Sequence, residues 1–81
     1  MSNGSLVCPP EVRAEMGARL RKLRKGSCMT ITMVGSALGL QRQAIAAYER
    51  GETAPSAEAL RRLTRYYRTS ADYILFGGAA R

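Results

Sequence analysis

The sequence predicts an all-α domain of five short helices. Apolar residues recur at helical spacing in several separate stretches, and nowhere do they alternate as they would along a strand. Helix-starting and helix-stopping residues punctuate those stretches: Thr30, Ser56 and Ser70 before them, Gly26, Gly39, Gly51 and Gly77 after them. The length of 81 residues suits one small core, and the apolar fraction of 46% is ordinary for a globular chain.

Residues 1–9 are small and polar enough to read as a flexible tail, residues 10–77 as the folded domain, and residues 78–81 as a second tail. The first helix starts at Pro9 and Pro10, since proline fits a first helical turn and Glu11 suits its positive dipole end. Val12, Met16, Leu20 and Leu23 form its apolar face. Glu15 and Arg19 make an i,i+4 pair, and Arg13, Arg19, Arg21, Lys22 and Lys25 are left for solvent or phosphate. Gly26 and Ser27 end it. Thr30 caps a second helix over 31–38, and Gln41 to Glu49 form the third. Gly51 to Pro55 is a loop. Ser56 caps the fourth helix, whose stripe is Leu60, Leu63, Thr64 and Tyr67. Ser70, helped by Asp72, caps a short fifth helix carrying Tyr73, Ile74, Leu75 and Phe76, which Gly77 and Gly78 stop.

The stretch TITMVGSALGLQRQAIAAYE, Thr30 to Glu49, says the most about function. Gly39 sits where a chain leaving a helix commonly takes positive φ. Gly35 is costly inside a helix, by roughly 1 kcal/mol relative to alanine, which makes sense if another helix crosses closely there. Two helices meeting steeply across a glycine turn form a helix-turn-helix, whose second helix enters a DNA major groove. Ile45 and Tyr48 point to the core, leaving Gln41, Arg42, Gln43, Ala46 and Ala47 outward. Arg pairs with guanine O6 and N7, Gln with adenine N6 and N7, and alanine methyls meet thymine methyls. Thr30, Thr32, Arg50 and Thr53 are candidates for phosphate contacts. Arg61, Arg62, Arg65 and Arg68 cluster on the fourth helix, expected to lie mostly away from DNA. A net charge of +7 fits a polyanionic or acidic partner.

The segments MGARLRKLR (Met16 to Arg24), ALGL (Ala37 to Leu40), AIAAYERGETAPS (Ala44 to Ser56), LRRL (Leu60 to Leu63) and SADYIL (Ser70 to Leu75), together with Thr30, resemble the lambda-repressor-like helix-turn-helix family, also known as the phage-repressor or xenobiotic-response-element type. The resemblance spans about residues 12 to 77 and implies a five-helix DNA-binding domain. It departs at Ile31, where the family usually has Gln, and at Gln41, where it usually has Ser or Thr. Both departures concern phosphate contacts and leave the fold untouched. The resemblance further implies an ion pair between Arg24 and Glu49, joining the first helix to the end of the reading helix. It also implies pairing through the fifth helix, and the residues agree: one face of that helix cannot bury four consecutive large apolar side chains, so Tyr73, Leu75 and Phe76 are expected at a homodimer interface. The function expected is a sequence-specific transcriptional regulator: a homodimeric repressor on an inverted-repeat operator in double-stranded DNA, autoregulatory and from a phage or other mobile element. The alternative is an antitoxin-type protein-binding module with secondary DNA binding, and a further rival is a non-specific nucleoid protein.

Enzymatic chemistry is not expected. There is no histidine, no glycine loop for phosphate and no clustered carboxylates. Two cysteines without histidine exclude a four-ligand zinc site within one chain. No metal, cofactor or small-molecule ligand is called for. Without a membrane-length apolar run or a signal peptide, the expected location is the cytoplasm, on the nucleoid.

Overall fold

The computed structural model describes residues 8–77, so of the predicted tails, 1–9 and 78–81, all but Cys8 and Pro9 lie outside the described residues. Five helices follow in order: α1 (Pro10–Gly26), α2 (Ile31–Leu38), α3 (Arg42–Arg50), α4 (Ala57–Tyr67) and α5 (Ala71–Phe76). No strand occurs among the described residues. None of the helices is long and apolar enough to cross a membrane.

The starts follow from side-chain capping. Thr30 Oγ1 accepts from the Met33 N–H, Ser56 Oγ from Ala59 and Ser70 Oγ from Tyr73, at 3.0–3.1 Å. Helix α3 differs, because Gln41 precedes it without a side-chain cap. Gly39, Gly51 and Gly77 stop their helices in the left-handed conformation. Helix α1 ends at Gly26 and Ser27 as expected, though not through a left-handed glycine. Gly26 stays helical, and Cys28, two residues on, takes the positive φ of 58°. That turn brings the Met29 N–H back to the Arg24 carbonyl at 3.1 Å. Arg68 likewise ends α4 left-handed without a glycine.

One core unites the helices: Met16 and Leu20 from α1, Val34 from α2, Ile45 from α3, Ala59 and Leu63 from α4, and Ile74 from α5. Leu23, Leu38, Leu40, Tyr48, Leu60 and Tyr67 pack around it half-buried. Cys8, placed in the tail on sequence grounds, also packs there, and its carbonyl accepts from Arg13 Nη1 at 2.7 Å. Helix α1 packs against α3 and α5, α2 against α3, and α4 against α5 and α2.

Two glycines set how closely the motif closes. A Cβ on Gly35 would lie 2.7 Å from the Leu40 carbonyl oxygen and 3.6 Å from the Arg42 Cα. The close neighbour is therefore the turn and the first residue of α3, more local than a helix crossing. Gly17 is tighter still. A Cβ there would collide with the Tyr48 carbonyl oxygen and sit 2.6 Å from that of Glu49, so α1 crosses α3 backbone against backbone.

Candidate nucleic-acid interface

Helix α3 is gripped on one side and bare on the other. Ile45 is buried and Tyr48 half-buried, while Gln41, Arg42 and Gln43 are exposed in and just before the first turn of α3. Ala46 and Ala47 continue that side half-buried, so the surface there is mostly backbone and methyl groups. The Gln41 amide makes no cap hydrogen bond to the helix it precedes. Arg42 Nε donates to Thr32 Oγ1 at 3.3 Å, which steadies the guanidinium from α2.

At its other end α3 is tied to α1. Arg24 Nε and Nη2 donate to Glu49 Oε2 and Oε1 at 2.7 and 2.9 Å, while Nη1 donates to the Met29 carbonyl at 2.9 Å. The two side chains are only 12% and 6% exposed. The Glu49 carboxylate accepting this fork raises the Arg24 pKa further, so the guanidinium stays charged. Tyr67 lies beside it; burial, reinforced by the Glu49 charge, pushes its phenol up to about 12 and keeps it neutral.

Of the phosphate candidates, Thr30 and Thr32 are exposed at the start of α2. Each hydroxyl oxygen accepts one hydrogen bond and retains its own hydrogen to donate. Thr53 is exposed in the loop after α3. Arg50 is exposed but engaged, forking onto Glu52 at 2.8 and 3.0 Å. A notch of about 310 Å³ separates these elements, lined by Arg21, Arg24, Ile31, Ala46, Glu49 and Arg50. Arg21 has no ion-pair partner among the described residues. Its place beside Ala46 sets it apart among the five basic residues of α1 left for solvent or phosphate.

Two arginines expected to face solvent or phosphate are half-buried and turn back to carbonyls. Arg13 Nε donates to the Gly51 carbonyl at 3.1 Å, tying the loop after α3 to α1. Arg19 Nη1 donates to the Ile74 carbonyl at 3.0 Å and anchors the end of α5. Periodicity registers apolar positions and misses a guanidinium that reaches back to a carbonyl. On α4, Glu58 holds Arg61 and Arg62, and Arg62 Nη1 also donates to the Leu38 carbonyl at the end of α2. Among the fifth-helix residues, Ile74 is buried, Tyr73 and Leu75 are half-buried, and Phe76 stands 74% exposed.

A model of the helix-turn-helix domain matches residues 15–74. The chain belongs to the helix-turn-helix family. One solved structure, the P22 c2 repressor protein in complex with synthetic operator 9T in the presence of Tl+, is 36% identical. It superposes with a TM-score of 0.75, over 78% of this chain and 96% of that one. No match is found among curated proteins. The fold is thus the lambda-repressor-like one, with α2, the Gly39 turn and α3 forming its helix-turn-helix. Close backbone approaches explain why Gly17 and Gly35 both occur inside helices. Each lets another piece of backbone approach the motif, and the helix-interior glycine that flagged Gly35 would have flagged Gly17 by the same logic.

Proposed function

We propose that this protein is a homodimeric repressor that reads an inverted-repeat operator through the major groove, autoregulatory and belonging to a phage or other mobile element. Its family makes it a DNA-binding transcriptional regulator rather than an enzyme. The observation that carries the finer reading is the uncapped, exposed Gln41–Arg42–Gln43 edge of α3, fixed in angle by the Arg24–Glu49 fork and in rotamer by Thr32. The P22 c2 repressor, solved on an operator, supports it by likeness. In this reading Gln41, Arg42, Gln43, Ala46 and Ala47 meet base edges, while Thr30, Thr32, Arg50 and Thr53 meet phosphates, with Arg21 added to them. Covering promoter DNA would then repress transcription.

Arg42→Ala and Gln43→Ala are each expected to weaken specific binding by about 1–3 kcal/mol and to relax preference at one base position per half-site. Selection of duplexes from a random pool, repeated with each variant, checks this. Equal losses on operator and random DNA would make these residues phosphate anchors instead.

The dimer rests on Phe76, a large apolar side chain left in water beside half-buried Tyr73 and Leu75. Pairing there would set two reading helices roughly 34 Å apart, one DNA turn. Phe76→Ala is expected to weaken self-association, losing cooperative operator binding before folding is affected. Sedimentation at micromolar concentration tests it: a monomer of 8.8 kDa that binds operator as a single copy would refute the dimer.

A further inference from the structure

The notch between α1, the start of α2 and the end of α3 contains a charge arrangement that base reading does not explain. Arg50 ends α3 on the side of Ala46, and Arg21 lines the same notch. Yet the Arg50 guanidinium is already occupied, with Nε and Nη2 both held by the Glu52 carboxylate. Both side chains are more than half exposed, so nothing in the packing forces them together. A carboxylate and a phosphate offer a guanidinium the same planar pair of acceptor oxygens. A carboxylate on this edge of a basic domain also repels the DNA backbone, a cost the protein carries for no structural return.

We infer that Glu52 is an internal stand-in for DNA phosphate: it occupies Arg50 in the free protein and thereby sets the ratio of operator to non-specific binding. This rests on the function proposed above. An exposed ion pair is weak, because water screens it and two side chains must be held still. A phosphate presented in fixed register by a seated reading helix can displace the carboxylate. On non-operator DNA the helix is not seated, the phosphate is not held in register, and Arg50 stays with Glu52. Non-specific binding, which is almost entirely counterion release, then loses one cation. The site consists of Arg50, Arg21 and the competing Glu52, and its ligand is the DNA phosphodiester.

The test measures binding of the full chain to a labelled random-sequence duplex and to the duplex selected by the wild-type protein, across a potassium chloride series. Glu52→Gln is expected to tighten random-duplex binding about three- to tenfold and to steepen its salt dependence by about 0.9 in log–log slope. The selected duplex should gain more, because only there does the wild-type protein break the pair, so the specificity ratio rises. In an Arg50→Gln background the substitution at Glu52 should have no such effect. An unchanged ratio, or an equal gain with and without Arg50, would overturn the inference and reduce Glu52 to one more surface charge. If the wild-type protein bound no duplex, the proposed function itself would fail. Carboxyl titration by NMR separates the two outcomes, since Arg50 holds the Glu52 carboxyl below its ordinary range in the free protein and Arg50→Gln should release it. No change in that titration would remove the pair and the inference with it, whatever the DNA binding.

Discussion

Arg24→Ala and Glu49→Ala are each expected to destabilise the domain by about 3 kcal/mol, and the double substitution by clearly less than the sum. The pair is a bidentate fork with both side chains largely withdrawn from water. Deleting one partner leaves the other charge buried and unmatched, which costs more than the pair itself contributes. Arg24 also holds the Met29 carbonyl, so its loss frees the turn after α1 as well. A domain of this size has only about 4–12 kcal/mol of total stability, so either single change should be plain in a urea melt. Glu49→Gln keeps the shape and one acceptor, and serves where the alanine variant fails to fold. Additive losses in the cycle would show that the two side chains are not coupled. Coupling matters for function because the fork joins α1 to the last turn of the reading helix. If the proposed function holds, folded Glu49→Gln protein should therefore lose operator affinity although residue 49 is not among the proposed base contacts.

Gly17→Ala is expected to destabilise by about 2–3 kcal/mol, against the intrinsic preference of a helix. Alanine in a free helix interior is favoured over glycine by about 1 kcal/mol, so the sign of the effect decides the matter. Here the added methyl meets the Tyr48 and Glu49 carbonyl oxygens, which belong to backbone and cannot rotate away. Helices α1 and α3 would have to separate, straining the Arg24–Glu49 fork beside them. Gly26→Ala is the control. It lies in the same helix with open space around it, and should be neutral or slightly stabilising. Thermal melts of both variants give the comparison, with roughly 4–8 °C expected per kcal/mol for a domain this small. A rise in melting temperature for Gly17→Ala would mean that α1 and α3 do not cross backbone against backbone.

The site residues divide by what makes each one visible. Gln41, Arg42 and Gln43 could be named from sequence because their exposure follows from helical phase once Ile45 and Tyr48 are taken as inward. Arg13 and Arg19 could not, because nothing in helical phase says that a guanidinium will turn back to the Gly51 or Ile74 carbonyl. The Thr32–Arg42 and Arg50–Glu52 contacts escaped for a related reason. Whether two exposed polar side chains meet depends on rotamers and on the angle between elements, and residue types carry neither.

By itself the sequence determined the five helices, their caps, the glycine turn and the family, since each of these is written in local residue types and short-range period. Thr30, Ser56 and Ser70 cap because a hydroxyl three residues before a free N–H is enough. Tertiary structure alone decided which arginines anchor and which remain free. It also decided that α1 and α3 touch at Gly17. Those outcomes depend on the distance between chain segments dozens of residues apart. Core packing fixes that distance, and no local pattern encodes it.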